Sequence, residues 1–189
     1  MHSGAVDATT IQRVHQEGGK FFVEFATLNG SYGDYVQKHP EAHPIDDNGQ
    51  PVAKANWFLG ACPTDPGFKA YRMNALRQLL QDHAVDGVWM DYLHWHAQFE
   101  DPYPIFSKTC FNESCRLAFA AWSGLKIEEG TTVEQAKWIL DNVPKQWEDW
   151  RVSVLVDWAR EIHSIVKQMR PTALVGNYQA AWKDERLYP

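Results

Sequence analysis

The sequence predicts an α/β protein built as a parallel (β/α) barrel, on three observations. Lys20 to Thr27 (KFFVEFAT) is a nearly continuous apolar run of β-formers, the pattern of a strand buried on both faces. A second such run opens DGVWMDYLHWH (Asp86 to His96), and a third is TALVGNYQ (Thr172 to Gln179). Helical patterns separate these runs, and helix and strand in alternation with long connections describe parallel strands joined by crossovers. A closed TIM barrel of eight units takes roughly 250 residues, with ~200 near the lower bound. With 189 residues and three to four strands, the chain is either a small open sheet or a barrel cut short, and an incomplete barrel is the expectation. No repeat or linker divides the chain, so residues 1–189 are expected to form a single domain.

Taken in order, a short helix from Asp7 (Ile11, Val14, His15) ends at Gly18 and Gly19, a doublet suited to positive φ. Residues 28–64, rich in Gly, Pro, Asn and Asp, read as a long loop with at most a short strand near Trp57 to Gly60. Asp65 as N-cap and Pro66 at N1 open a helix whose stripe is Phe68, Tyr71, Ala75, Leu76, Leu79 and Leu80, ending near His83. Beyond a Pro-rich loop, Cys115, Ala118, Phe119 and Trp122 space a short helix, and Thr131 with Glu134 forms a capping box for another, to Asn142. Pro144 breaks the chain. From Lys145 to Met169, Trp147, Trp150, Val154, Trp158, Ile162, Ile165 and Met169 keep helical spacing, and Arg170 and Pro171 end that helix.

Composition removes several function classes. Lys plus Arg number 18 against 24 Asp plus Glu, a formal net charge of -6, and no basic stripe exists to neutralise phosphates, so no nucleic-acid partner is expected. No apolar stretch approaches the ~18 residues of a membrane span, and Met1 to Thr10 lacks the basic start and apolar run of a signal peptide. A soluble chain is expected, cytoplasmic, or exported if an N-terminal segment is missing. Cys62, Cys110 and Cys115 are an odd count at low density, which argues against a disulfide scaffold. Aromatic residues reach 13%, with nine Trp, and Trp and Tyr also suit recognition surfaces such as those that meet sugar rings.

In barrels and open α/β sheets, reactive groups gather at the carboxyl ends of strands and in the loops beyond. By that rule the first strand delivers Glu24 and Asn29. The second delivers Asp91, Tyr92, His94, Trp95, His96 and then Glu100, and the third Asn177, Tyr178 and Gln179. Carboxylates with amide donors and aromatic platforms are what glycosidic chemistry uses: an acid for the leaving oxygen, a second carboxylate opposite, and polar groups for hydroxyls. Asp91 is the candidate catalytic carboxylate. Glu24, Asn29, Tyr92, His94, Trp95, His96, Asn177 and Gln179 are the candidate sugar contacts. Plainer roles stand beside these: Asp91 as a cap or ion-pair member, Glu24 as a buried structural carboxylate, Glu100 as a solvated loop acid. His94 and His96 share a face and suit metal ligation, hydroxyl recognition or packing. Most of Trp122, Trp147, Trp150 and Trp158 are expected in the core.

The stretch from Cys62 to Glu100, with its DP…VDG…D pattern, resembles the segment of glycoside-hydrolase-like TIM-barrel proteins, such as the α-amylase group, that leads into a strand ending in a catalytic aspartate. More closely, Gly30 to Gln179 resembles the bacterial "hypothetical glycosyl hydrolase" families, which carry HP, a Gly turn, CP, DG…DY and C-x-C-x-x-C followed by RxxF. Trp89 stands where α-amylases place an Arg, and His96 where the similar DYLKWD of some α-galactosidases ends in its nucleophilic Asp. The cysteines resemble those of zinc-bearing β-galactosidases, one Cys and later a C-x-C-x-x-C before a helix, with Asn112 in place of the middle ligand. That resemblance implies a structural zinc at Cys62, Cys110 and Cys115, with three small buried cysteines as the alternative. It also implies an acid/base role for Glu100, just before the motif.

Together these readings point to a carbohydrate-active protein, a glycoside hydrolase with a carboxylate pair acting on oligo- or polysaccharide; the alternative is a non-catalytic carbohydrate-binding barrel. With the sheet about half built, the 189-residue chain is expected to hydrolyse weakly or not at all, and to self-associate through the missing-barrel surface.

Overall fold

The structure, a computed structural model, describes residues 6–55, 58–97 and 106–178. These fall into two compact units, each assembled from separated stretches of chain. The first holds residues 6–27, 70–93 and 157–178, and the second holds 28–55, 58–69, 94–97 and 106–156. No described helix is long and apolar enough to cross a membrane.

The first unit is built on a parallel sheet in sequential order: β1 (Phe22–Ala26), β2 (Gly87–Asp91) and β3 (Leu174–Asn177). Chain neighbours are sheet neighbours, with no reversal of order among the described strands, an order consistent with part of a (β/α) barrel. Successive side chains in a strand alternate between faces. Val23 and Phe25 of β1 pair in register with Val88 and Met90 of β2, and all four are buried. Phe22, Glu24 and Ala26 face the other way and are half-buried, so β1 is fully covered on one face only. A continuous apolar run conceals this, because Phe22 and Ala26 are apolar whichever side they face.

The helices of this unit begin with α1 (Ala8–Gln16), capped by Asp7, whose carboxylate accepts the N–H groups of Thr9 and Thr10 at 3.2 and 3.0 Å. Gly18, at φ +74°, makes the turn after it. Helix α3 (Pro66–Asp82) starts in the second unit, where Asp65 Oδ1 accepts Phe68 N–H at 2.6 Å, and continues into the first. On its stripe Tyr71 is exposed, and the neighbouring buried position is Arg72. A buried Arg is tolerated because Nη2 donates to the Ala26 carbonyl at 2.6 Å while the guanidinium lies 4.5 Å over the Phe25 ring. Helix α6 (Pro144–Met169) likewise runs from the second unit into the first, with Pro144 as its first residue. Its Trp158, Ile162, Ile165 and Val166 are core, and Arg170 ties the helix end to α3 by donating to the carbonyls of Leu80 and His83.

In the second unit the stretch expected to be loop contains a helix, α2 (Gly33–Lys38), and a 3-10 turn (Pro40–Ala42). Six residues are too few to show periodicity, and packing holds α2: the Tyr35 ring meets Phe68 edge-on at 5.4 Å. Near the expected fourth strand, whose Trp57 lies outside the described residues, the described residues form isolated bridges, Ser31 to Leu59 and Ala55 to Phe58. Helices α4 (Glu113–Ser123) and α5 (Thr132–Asn142) form as their patterns predict. Gly124 in the left-handed region ends α4, and Thr131 and Glu134 make both capping-box bonds. The core here is aromatic: Trp147 stacks on Phe111 at 5.1 Å and meets Phe119 edge-on at 5.0 Å, with Trp150 and Trp95 in the same cluster. Trp122 is half exposed.

Candidate functional site

Asp91 is the last residue of β2 and so stands at the carboxyl end of the sheet. The strand register puts it on one face with Glu24, Trp89 and Gly176, since Glu24 pairs with Trp89, Ala26 with Asp91, and Trp89 with Gly176. Glu24 and Asp91 are therefore one strand and two residues apart, a backbone separation of about 8 Å from strand spacing and rise. Asn177 pairs with Met90 and lies on the opposite, helix-covered face, so it does not join Asp91. Its Oδ1 is buried with no partner among the described residues. Across Asp91's face runs a row of rings, Phe22 to Trp89 at 5.9 Å and Trp89 to Tyr178 at 5.5 Å. Glycine makes that row feasible: a Cβ at Gly87 would overlap the Phe22 ring, and one at Gly176 the Trp89 indole.

Beyond Asp91 the chain turns sharply. Tyr92 has φ +54°, the only positive φ of a non-glycine residue among those described. Its N–H donates to Asp91 Oδ1 at 2.8 Å. The Asp91 carbonyl accepts two bonds from the fully buried Thr27, from its N–H at 2.9 Å and its hydroxyl at 2.7 Å.

Asn29, His94, Trp95 and His96 belong to the second unit, where they are held mainly by the backbone. Asn29 is fully buried, and its Nδ2 donates to the His94 carbonyl at 2.6 Å. His94 Nδ1 lies 2.7 Å from the Trp95 carbonyl and 3.1 Å from Asn29 Nδ2. Trp95 is 1% exposed in the aromatic core, with the Arg151 guanidinium 4.7 Å over its ring, and presents no free face to a sugar. His96 Nδ1 accepts the Gly60 N–H at 3.3 Å while its ring bonds the backbone of Ala53. Burial pushes the His96 pKa down to about 4, so the ring is a neutral structural link. Glycine suits position 60 because a Cβ there would run into Asn29 Oδ1, which would have to shift.

The same unit gathers the three cysteines, all buried, with their sulfurs within 4.8 Å of one another and Cys62 Sγ 3.4 Å from Cys115 Sγ. Thr64 Oγ1 lies 3.1 Å from Cys115 Sγ and 2.9 Å from Ser114 Oγ. Burial pushes all three thiols up. At Cys62 the bonds from neighbouring thiols and hydroxyls outweigh it and hold the thiol well below its ordinary value, whereas Cys110 and Cys115 stay well above. Two sulfurs on a tetrahedral metal at ~2.3 Å lie ~3.8 Å apart, so the spacing fits a thiophilic ion. Asn112 is a backbone clamp: it donates to the carbonyls of Glu41 and His43 at 2.9 and 2.7 Å and accepts the Ile45 N–H at 2.9 Å. That accounts for an amide where the zinc pattern has a ligand.

The structure is similar to three solved glycosidases that share little sequence with it. One is the glycoside hydrolase domain of PgaB (BpsB) from Bordetella bronchiseptica, at TM-score 0.64 and 12% identity over 92% of this chain and 46% of that one. A β-galactosidase from the haloarchaeon Halorubrum lacusprofundi gives 0.63 and 12%, over 89% and 28%. The α-L-fucosidase isoenzyme 2 from Paenibacillus thiaminolyticus gives 0.58 and 12%, over 95% and 23%. The chain has a glycoside-hydrolase-like fold. It spans less than half the length of each of these proteins. No family model and no curated protein sequence matches it.

On Asp91's face of the sheet, Glu24 and Trp89 stand at the centres of their strands and Asp91 at a strand end, with Tyr178 beside Trp89. Glu100 and Gln179 lie outside the described residues. Sequence reasoning passed over Trp89 and Thr27. The period of two within GVWMD, which sets Trp89 on Asp91's face, was the available signal for the first. Nothing in the sequence marks Thr27, whose role depends on the register between strands.

Proposed function

We propose that these strands carry part of a glycoside hydrolase site in a (β/α) barrel, acting on oligo- or polysaccharide. The observation that supports this reading is the position of Asp91 at the carboxyl end of β2, on one sheet face with Glu24 and a row of aromatic rings, within a glycoside-hydrolase-like fold. Asp91 is one catalytic carboxylate. The second is Glu100, with Glu24 on the neighbouring strand holding a sugar hydroxyl or the Asp91 proton balance. Trp89 and Tyr178 offer the apolar faces that pyranose rings stack on. Carboxylates ~5 to 9.5 Å apart across the scissile bond would act as acid and as nucleophile or base. A zinc ion held by Cys62, Cys110 and Cys115 would brace the second unit and take no part in the chemistry.

Hydrolysis of aryl glycosides and oligosaccharides by the chain, by Asp91→Asn and by Glu100→Gln tests the assignment. The parent's turnover is expected to be weak, and either substitution should lower whatever turnover it shows by about 100-fold or more, the usual scale for removing an acid–base group. Saccharide binding without turnover in all three proteins would favour the carbohydrate-binding reading.

A further inference from the structure

We infer that Thr27 is a positioning residue for Asp91, fixing its carboxylate through the single peptide unit that joins Asp91 to Tyr92. The inference rests on the reading of Asp91 as the carboxylate that meets the sugar. An ordinary parallel ladder gives the Asp91 carbonyl one backbone donor, and the Thr27 N–H supplies it at 2.9 Å. The Thr27 hydroxyl adds a second, at 2.7 Å, that no ladder provides. On the far side of the same peptide, the Tyr92 N–H turns back to Asp91 Oδ1 at 2.8 Å. Hydroxyl, carbonyl, amide and carboxylate thus form one chain of contacts, and rotating the peptide breaks both ends.

The backbone conformation shows why an anchor is needed. Tyr92 sits at φ +54°, a region that side chains with a Cβ disfavour, so the corner persists only where surrounding bonds hold it. Thr27 is fully buried, which keeps water from substituting for its hydroxyl. At the other end of the same stretch, Arg72 Nη2 bonds the Ala26 carbonyl at 2.6 Å, so the donor's own strand end is pinned as well. The end of β1 therefore serves as a rigid rest against which the end of β2 is set. Serine could replace Thr27 in this role, and valine, with the same shape and no hydroxyl, could not.

Thr27→Val and Thr27→Ser test this on the folded chain, by amide hydrogen exchange and by carboxyl carbon NMR of Asp91. In Thr27→Val, exchange of the Tyr92 amide should quicken about tenfold or more while other β2 amides change less than about threefold. The Asp91 carboxyl should titrate at higher pH by about half a unit or more, because its ionised form has lost an N–H donor. Thr27→Ser should stay close to the parent in both. An unchanged Tyr92 amide and Asp91 titration in Thr27→Val would overturn the inference. So would quickened exchange throughout β2, or a serine variant as altered as the valine. Asp91→Asn with undiminished saccharide binding and turnover would instead remove the functional reading and leave the Thr27 result standing.

Discussion

At the scale of single residues, His96 gives the clearest dependence on pH. It is 5% exposed, and burial, with His43 nearby, brings its pKa from 6.5 to about 4. The unfolded chain takes up this proton near pH 6.5, while the folded chain resists until about pH 4. Stability from this group is complete above 6.5 and is lost as pH falls towards 4, by about 3 kcal/mol in all. Urea unfolding at pH 7 and at pH 4.5 should show that loss, and His96→Gln should reduce it. Gly60→Ala should cost about 1–3 kcal/mol at neutral pH, because the added methyl meets the buried Asn29 amide, and a thermal melt measures it. For the cysteines, protein purified without chelator should carry about one zinc per chain, falling well below that in Cys115→Ser. Zinc absent from the parent would leave the three thiols as packing. The sequence marked Asn29 and His96 as functional because polar residues after strands usually are, and it could not reveal that their partners are the backbone of residues 53, 60 and 94.

The elements divide by length and by how local their determinants are. Helix α6, the α5 capping box and the Asp65 cap of α3 were legible because periodicity and caps are written in neighbouring residues. Helix α2 was not, since six residues carry one buried side chain, Val36, and the helix rests on contacts to Phe68. The three strands were legible as apolar runs, while their facing was only partly so. Alternation within GVWMD puts Trp89 with Asp91, but the assignment of Asn177 to the other face depends on its pairing with Met90, a relation between strands 87 residues apart. Thr131→Ala removes one side of the α5 capping box and should lower stability by about 1 kcal/mol, read as a drop in urea midpoint with an unchanged slope. A larger loss or a changed slope would mean that α5 is needed for more of the second unit than its own first turn.

For the whole molecule, the sequential parallel sheet and the likeness to glycosidases at 12% identity agree on the fold while leaving the chemistry to particular side chains. What the fold contributes is a sheet face shared by Asp91 at a strand end, Glu24, and the rings of Trp89 and Tyr178. The three strands carrying those residues come from positions spread over the chain, and the parallel register alone aligns them. The central claim is that this end of the sheet meets carbohydrate. It is tested most directly by following the Trp89 indole N–H resonance and the Tyr178 ring signals while the chain is titrated with a panel of oligosaccharides. At least one saccharide should shift both sets of signals saturably, and Asp91→Asn should weaken that response. A panel that leaves Trp89 and Tyr178 unmoved, or shifts only residues at the opposite end of the sheet such as His15 and Asp86, would contradict the account.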